Sequence, residues 1–277
     1  MSVTLKLLDE VEAIAREAGA AIMSIYARDF SVQQKDDKSP LTEADSAAQE
    51  IIAERLAGLQ PLLPVLSEEA EDDFHGGDGA ECYWLVDPLD GTKEFIKRNG
   101  EFTVNIALIE GGRPVLGVVY APVPDVAYLA AEGVDAFKVG ADGVRTAIHV
   151  ATHVDGVSWR VVGSRSHAGD SLPVLLQKLG AHELIAMGSS LKFCLVAEGS
   201  ADIYPRLGLT SLWDTAAAQC VVEQAGGAVI RLSGEALSYA NPSVRLNPFF
   251  LVHGKSAIVW RDVLAADAST EGQLCRS

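Results

Sequence analysis

Basic residues are scarce in this sequence of 277 residues. Twenty-two Lys and Arg stand against 38 Asp and Glu, which gives a formal net charge of −16 at pH 7. Proteins that bind nucleic-acid polymers need clustered Lys and Arg, because these side chains release counterions from the phosphate backbone. The charge balance therefore argues against a general nucleic-acid binder. Any phosphorylated ligand must be attracted locally.

Cysteine is also rare, and the four cysteines are widely separated. No Cys-x-x-Cys pair occurs among them, whereas zinc sites and disulfide frameworks usually show close, paired spacing. We therefore expect neither a structural zinc site nor a disulfide framework. The thiols predicted to be reduced are Cys82, Cys194, Cys220 and Cys275.

Long apolar runs are absent. A membrane-spanning helix needs roughly 20 consecutive apolar residues, whereas the apolar stretches of this chain are short and interrupted by charges. The first residues lack a signal-peptide pattern, and there is no lipidation motif or basic amphipathic helix. We expect a cytoplasmic protein without a transmembrane segment. Apolar residues still make up 48% of the chain, enough to fill a core.

The first half of the sequence predicts two helices followed by an antiparallel sheet. Apolar residues recur at three- and four-residue intervals from Val3 to Ala27, and a second helical pattern runs from Thr42 to about Leu59. Short apolar runs bounded by acidic or turn residues are typical of strands, and a Gly-Gly pair between two of them predicts a hairpin. These runs are residues 64–67, 83–86, 103–110, 114–120 and 126–131.

From about residue 155 the sequence alternates between predicted strands and helices, which is typical of an α/β fold. The strands are predicted at residues 160–163, 183–187, 202–204 and 228–232, and the helices at 172–179, 190–198 and 214–224. We therefore predict an α+β half over residues 1–154 and an α/β half over residues 155–266. The small, polar tail over residues 267–277 is predicted to be frayed.

Acidic residues follow two neighbouring predicted strands. Glu68 and Glu69 come after the first, and Asp87 and Asp90 after the second. In open α/β sheets, ligands tend to bind at the carboxyl ends of strands. Carboxylates held close together repel one another unless a hard cation neutralises them, and Mg²⁺ prefers such oxygen ligands. The turn between the two aspartates would also direct the Leu89 carbonyl into the same space.

The two residues after Asp90 suit a phosphate. Gly91 lets the backbone approach a ligand closely, and Thr92 is a typical helix N-cap whose neighbouring N–H groups could bind a phosphate oxygen. The Thr92 hydroxyl could also position a water molecule. Taken alone, Asp90-Gly91 is better explained as a turn, and Glu68-Glu69 as a solvated acidic edge. The combination of the two pairs favours a metal site.

Three acidic segments stand out: Leu66-Ser67-Glu68-Glu69, Trp84 to Thr92, and Leu212 to Ala217, which contains Asp214. They resemble the three metal-site motifs of the inositol monophosphatase superfamily, and the resemblance spans nearly the whole chain. It implies a layered αβαβα sandwich, an α+β or α/β fold shared with fructose bisphosphatases. The segments that more narrowly resemble bacterial 3′(2′),5′-bisphosphate nucleotidases are Lys93–Ile96, Gly188–Cys194 and Tyr204–Arg206.

The resemblance also implies roles for individual residues. Thr92 and an acid on the second helix would orient and deprotonate the attacking water. Asp45 is the best match, although Glu43 is an adjacent candidate, and Glu69 would be an auxiliary acid. Two or three Mg²⁺ ions would be held by Glu68, Asp87, Asp90, Asp214 and the Leu89 carbonyl.

The assignment of Asp214 as a metal ligand rests on the resemblance more than that of any other residue. Alone, a Trp-Asp pair at a predicted helix start is most often an N-cap beside a core aromatic residue. As a ligand, Asp214 would close the site between the two halves of the chain, where small-molecule pockets often lie.

Cationic residues in the second half are candidates for substrate binding. Lys192 and Arg206 could bind a second phosphate, because Arg clamps phosphate with two donors and Lys acts as a point charge. The loop containing Ser164 and Arg165 suits a phosphate or a nucleobase, and suits an ordinary capped turn equally well. The full predicted set of substrate contacts is Glu68, Leu89, Asp90, Gly91, Thr92, Ser164, Arg165, Ser189, Lys192, Arg206 and Asp214.

The reaction implied by the resemblance is hydrolysis of the 3′-phosphate of adenosine 3′,5′-bisphosphate to AMP and phosphate. The 3′-phosphosulfate analogue would be a second substrate, lithium an inhibitor, and removal of a by-product of sulfate assimilation the biological role. The alternatives are an inositol-1-phosphate or broader sugar-phosphate phosphatase and a catalytically silent binding protein. The resemblance leaves peripheral membrane attachment open, and the sequence leaves the oligomeric state open.

Overall fold

Five alternating layers of helices and sheets build this protein. The computed structural model describes residues 3–34, 40–76, 81–164 and 172–264. The layers are a helix pair, a seven-stranded sheet, a second helix pair, a five-stranded sheet and a third helix pair. The predicted layered αβαβα sandwich is therefore confirmed.

Two long helices form the first layer. Helix α1 spans Leu5–Tyr26, and helix α2 spans Glu43–Ala57, close to the ranges predicted from periodicity. The apolar stripe of α1 is buried against the first sheet. Thr4 begins α1 by accepting the Leu7 N–H on its Oγ1 at 3.2 Å, which satisfies one of the free donors at a helix start. No helix among the described residues is long and apolar enough to cross a membrane.

The seven-stranded sheet follows chain order from β3 to β9. All its neighbouring strands are antiparallel except β3 and β4, which are parallel. Its strands are β3 (Val65–Ser67), β4 (Cys82–Asp90), β5 (Thr103–Glu110), β6 (Arg113–Ala121), β7 (Val126–Ala131), β8 (Val134–Val139) and β9 (Arg145–Ala147). A separate antiparallel pair consists of β1 (Val32–Gln34) and β2 (Pro40–Thr42).

The five-stranded sheet belongs to the second half of the chain. Its strand order is β11-β10-β12-β14-β13, with β10 parallel to β11 and β12, and β14 antiparallel to β12 and β13. The strands are β10 (Trp159–Ser164), β11 (His182–Met187), β12 (Ile203–Arg206), β13 (Ala228–Arg231) and β14 (Phe250–His253). The helices of this half are α4 (Leu172–Leu179), α5 (Leu191–Ala197), α6 (Ala216–Gln224) and α7 (Trp260–Leu264). The short helix α3 (Thr92–Ile96) belongs to the first half.

A glycine allows the middle helix layer to approach the large sheet. Helices α5 and α6 lie between the two sheets, and α6 packs on β5, β6 and β7. A Cβ atom at Gly117 of β6 would lie 2.2 Å from the Ala217 carbonyl oxygen, so no larger residue fits there without separating α6 from the sheet. This close packing brings the segment before α6 next to the end of β4.

The predicted halves share one hydrophobic core. Its buried residues include Leu85 and Val119 from the first half and Phe193 and Cys220 from the second. A division into units over residues 1–154 and 155–266 stays a prediction. The predicted tail over residues 267–277 lies outside the described residues.

Candidate active site

A bulge in β4 brings two aspartates to one face of the sheet. Asp87 pairs with Asn105 of β5, and Asp90 pairs with Thr103, so three steps along β4 match two steps along β5. Residues three apart in a regular strand point to opposite faces. The extra residue of the β-bulge shifts this alternation by one, so Asp87 and Asp90 point to the same face. The strand predicted to end at residue 86 therefore continues to Asp90.

Three carboxylates from different segments converge here. Glu68 follows β3, the parallel neighbour of β4, and its N–H donates to the Val86 carbonyl oxygen. Asp214 comes from the segment before α6. Glu68, Asp87 and Asp214 each place a carboxylate oxygen within 4.8 Å of the others. The sequence-based expectation of a site drawn from both halves agrees with this geometry.

Asp214 is not a helix N-cap. Helix α6 begins at Ala216, and the residue at its cap position is Thr215, so the prediction that this helix starts at Asp214 is wrong. The Asp214 Oδ2 instead accepts the Ser211 N–H at 2.9 Å. This local hydrogen bond orients the carboxylate beside Asp87.

Asp90 is held by residues that the sequence did not identify. Its Oδ2 accepts the Ser190 N–H at 2.6 Å, lies 2.7 Å from Ser190 Oγ, and accepts from Asn105 Nδ2 at 3.3 Å. The only sequence signal for Asn105 is an amide inside an otherwise apolar strand. Ser190 was predicted as the start of a helix, within the segment Gly188–Cys194, and no role was assigned to it.

The carboxylate cluster is electrostatically unfavourable without a cation. Burial raises the pKa of the Asp87 carboxyl well above its usual value, and the charges of Glu68 and Asp90 raise it further. Burial also raises the pKa of Asp214, with contributions from the same two neighbours. A partly buried set of oxygen donors with excess negative charge suits a hard divalent cation. The residues present therefore fit Mg²⁺.

Replacing Asp214 with Asn is expected to stabilise the metal-free protein. The amide keeps an oxygen to accept the Ser211 N–H while removing one repelling charge. For a chain of this size, about 1 kcal/mol corresponds to roughly 2–4 °C in Tm. Thermal unfolding in EDTA should therefore give a higher Tm for Asp214→Asn than for the wild type. Adding Mg²⁺ should raise the Tm of the wild type more. A lower Tm for the variant in EDTA would contradict this account.

The same groups predict a pH dependence. The carboxyls of Asp87 and Asp214 have raised pKa values in the folded state, so the folded protein binds these protons more tightly than the unfolded chain. Their contribution to stability is therefore lost as pH rises from the unfolded pKa, about 4, through the folded pKa. In EDTA, the Tm of the wild type should fall from about pH 5 to pH 8 by more than that of Asp214→Asn. Equal slopes would contradict the assignment.

Thr92 meets Asp45 rather than Glu43. The Thr92 Oγ1 donates to Asp45 Oδ1 at 3.2 Å, while Asp45 Oδ2 accepts from the N and Oγ1 of Thr42 at 2.8 and 2.6 Å. Glu43 instead binds Arg28 at 2.6 Å. The hydrogen bonds from Arg28 and Ser31 lower the pKa of Glu43 to about 2. Of the two candidate acids, only Asp45 is joined to Thr92.

The prediction that Thr92 caps a helix is wrong. Gly91 occupies the cap position of α3 in a left-handed conformation, with φ of 98°, and Thr92 is the first helical residue. A Cβ at Gly91 would lie 3.0 Å from the Glu101 carbonyl oxygen, so both conformation and space favour glycine. This arrangement releases the Thr92 hydroxyl from capping and leaves it at the cleft.

The acidic cluster opens into a cleft that also contains cations. Gly91, Thr92, Ser189, Lys192 and Arg206 line it together with the carboxylates and Leu89. Lys192 is 8% exposed. Its Nζ donates to the Ser189 carbonyl at 2.5 Å, and burial lowers its pKa. Arg206 donates through Nη2 to the Leu209 carbonyl at 2.6 Å, and its buried Nε has no partner among the described residues.

Three predicted residues are not among the described residues that line this cleft. Glu69 lies in the turn after β3, half-buried, and is not among the described residues that line the cleft. Ser164 ends β10, and Arg165 lies outside the described residues. Their roles stay predictions.

Comparisons with known proteins agree with this geometry. Residues 5–268 match the inositol monophosphatase family. The chain is 53% identical to the 3′(2′),5′-bisphosphate nucleotidase CysQ of Salmonella typhimurium over 89% of this chain and 99% of the relative. It is 52% identical to that of Escherichia coli K12, with the same coverage.

Solved structures show the same fold. CysQ from Bacteroides thetaiotaomicron, a bacterial member of the inositol monophosphatase family, superposes with a TM-score of 0.77 at 40% identity, covering 90% of this chain and 97% of the other. The inositol monophosphatase from Anabaena gives 0.75 at 25% identity, covering 95% and 96%. The family predicted from the three acidic motifs is confirmed: this chain belongs to the inositol monophosphatase family.

Proposed function

We propose that this chain is a Mg²⁺-dependent phosphatase that hydrolyses the 3′-phosphate of adenosine 3′,5′-bisphosphate to AMP and phosphate. The observation that carries the proposal is one cleft in which a carboxylate cluster lies beside two cationic side chains, the buried Lys192 and the partly exposed Arg206. The names of the CysQ relatives support the same reaction. The 3′-phosphosulfate analogue is proposed as a second substrate.

The metal would be bound by residues of both halves. When bound, Mg²⁺ would neutralise charge on the phosphate and lower the pKa of a nucleophilic water. We expect two or three ions. The proposed ligands are Glu68, Asp87, Asp90, Asp214 and the Leu89 carbonyl.

Thr92 and Asp45 are proposed to take the proton from the attacking water. The double contact with Thr42 fixes Asp45, and Asp45 in turn fixes the Thr92 hydroxyl. As water attacks phosphorus, its proton passes to Thr92 Oγ1 while the Thr92 proton moves to Asp45 Oδ1. The new P–O bond forms as the bond to the ribose 3′-oxygen breaks, and that oxygen is protonated by solvent. Glu69 stays the proposed auxiliary acid.

The phosphate that is not hydrolysed is proposed to bind the cations of the second half. The backbone N–H groups of Gly91 and Thr92 would contact the reacting phosphate. Lys192 and the unpaired Nε of Arg206 would contact the other phosphate, with Ser189 beside them. Ser164 and Arg165 remain proposed contacts for the rest of the nucleotide.

Lys192→Met is expected to weaken turnover of the bisphosphate selectively. Hydrogen bonds to charged groups contribute about 1.5–3 kcal/mol, so kcat/KM for adenosine 3′,5′-bisphosphate should fall about 10- to 100-fold. The value for adenosine 3′-phosphate, which lacks the second phosphate, should change much less. Lys178→Gln serves as the control, because this lysine is exposed and donates to the Val263 carbonyl. Equal losses on both substrates would contradict the assignment.

The proposed function is tested by comparing substrates. Phosphate release is measured from adenosine 3′,5′-bisphosphate, inositol 1-phosphate and fructose 1,6-bisphosphate, with Mg²⁺ and Li⁺ titrations. We expect the nucleotide to give the highest kcat/KM and Li⁺ to inhibit. A preference for inositol 1-phosphate or the sugar bisphosphate would favour the alternative phosphatases. No turnover of any of the three would favour a binding protein.

A further inference from the structure

Ser190 lies between two proposed metal ligands, Asp90 and Asp214, that come from different halves of the chain. Its N–H donates to Asp90 Oδ2 at 2.6 Å, and its Oγ lies 2.7 Å from the same oxygen and 2.8 Å from the Asp214 backbone oxygen. Only 1% of Ser190 is exposed, so these contacts are shielded from solvent. Ser190 thus contacts the side chain of one proposed ligand and the backbone of another.

The hydroxyl carries a single proton, and its surroundings indicate where that proton goes. Asn105 Nδ2 donates to Ser190 Oγ at 2.9 Å, so one lone pair of the hydroxyl is occupied. Asp90 Oδ2 also accepts the Ser190 N–H. Two oxygens 2.7 Å apart need a proton between them, and a carboxylate is a stronger acceptor than a carbonyl, so the Ser190 hydroxyl donates to Asp90 Oδ2. The Asp214 carbonyl oxygen, 2.8 Å away, is a second acceptor to which the same proton can turn.

The segment containing Ser190 is fixed on its other side. The Gly188 N–H donates to Glu101 Oε2 at 2.8 Å, and a Cβ at Gly188 would lie 2.8 Å from the Glu101 carbonyl oxygen. Ser189 adopts a left-handed conformation with φ of 45°, which is uncommon for a residue with a side chain. The position of Ser190 is thus set by tight packing, so its contacts hold Asp90 rather than follow it.

These contacts give the two carboxylate oxygens of Asp90 different roles. Its Oδ2 contacts donors from Ser190 and Asn105, which leaves Oδ1 to contact a cation. Groups that hydrogen-bond to metal ligands orient them and raise metal affinity. We propose that Ser190 is a positioning residue of the metal site, which holds Asp90 and the Asp214 backbone in place for Mg²⁺. This inference rests on the proposed function of the cleft.

Ser190→Ala is expected to raise the Mg²⁺ requirement. Loss of a partner of a metal ligand typically costs about 10- to 100-fold in metal affinity. The Mg²⁺ concentration at half-maximal rise in Tm should increase by this factor, and the Mg²⁺ dependence of phosphate release should shift with it. At saturating Mg²⁺, KM for adenosine 3′,5′-bisphosphate should remain near the wild-type value. Ser200→Ala is the matched control, since Ser200 Oγ donates to Glu198 at 2.8 Å and does not line the cleft.

The outcomes separate this inference from the proposed function. A wild-type Mg²⁺ midpoint for Ser190→Ala would overturn the positioning role, whatever the substrate. Inactivity of the wild type on the bisphosphate, combined with the expected midpoint shift, would overturn only the proposed substrate. If Ser190→Ala does not fold, Ser190→Cys decides, because a thiol fills the space of the side chain and is only a weak donor: a raised midpoint supports the role, and an unchanged one overturns it.

Discussion

Asp90→Asn is expected to remove most phosphatase activity while leaving the fold intact. The amide has nearly the volume of the carboxylate, and its oxygen can still accept the Ser190 N–H. The charge that a divalent cation needs is lost. Loss of a residue that hydrogen-bonds to a metal ligand typically costs about 10- to 100-fold in metal affinity or activity. Loss of the charge of a ligand itself should therefore cost more than that.

The measurement is phosphate release from adenosine 3′,5′-bisphosphate over a Mg²⁺ titration, with thermal unfolding to confirm the fold. Asp142→Asn is the matched control. Asp142 Oδ1 accepts the Val144 N–H at 3.0 Å in an exposed turn, so the same chemical change occurs there away from the cleft. Activity of Asp90→Asn equal to that of the control would rule Asp90 out as a metal ligand.

Thr92→Ala is expected to lower kcat with little change in KM or in the Mg²⁺ requirement. The variant loses the hydroxyl that donates to Asp45 Oδ1, and with it the proposed path for the proton of the attacking water. General base catalysis contributes about 10²- to 10⁴-fold, so kcat should fall by that order. Alanine is well accepted in the first turn of a helix, so α3 should be preserved.

Thr92→Ser separates the chemical role from packing. Serine retains the hydroxyl and loses only the methyl group, so most of kcat should return. The three proteins are compared by steady-state kinetics at saturating Mg²⁺. Equal kcat values for Thr92→Ala and wild type, or a Thr92→Ser variant as inactive as Thr92→Ala, would remove the hydroxyl from the mechanism.

Much of the fold was predictable because its elements are long or strongly patterned. The stripe of α1 and the apolar runs of β5 and β6 are buried as predicted. The elements not predicted are short or mixed in polarity. Strand β1, for example, is exposed along its length and exists by pairing with β2. Such tertiary pairing leaves no periodic signal in the sequence.

The site was predictable in its residue types but not in its local geometry. A turn was expected between Asp87 and Asp90, whereas a bulge within β4 aligns the two aspartates. Threonine is a common N-cap residue, yet the cap position of α3 is occupied by Gly91 in a left-handed conformation. Periodicity alone also gave no reason to select Asp214, because Asp214 lies far along the chain from Glu68 and Asp87 and meets them only in the folded protein.

Ser190 is a residue of the site that could not be selected from the sequence. A serine at a predicted helix start is a common cap, and nothing in the neighbouring residues indicates contact with Asp90, 100 residues earlier. Asn105 was more accessible to sequence reasoning, because an amide in a buried strand needs a partner. The contacts of Ser190 and Asn105 with Asp90 form only in the folded protein, where β4, β5 and the start of α5 lie side by side.

Product identification shows which phosphate the protein removes and whether the reaction needs Mg²⁺. The purified protein is incubated with adenosine 3′,5′-bisphosphate, with Mg²⁺ or with EDTA, and the products are separated by chromatography and identified by ³¹P NMR. We expect 5′-AMP and inorganic phosphate with Mg²⁺, and unchanged substrate with EDTA. Release of adenosine 3′-phosphate, or equal turnover in EDTA, would contradict the proposed function.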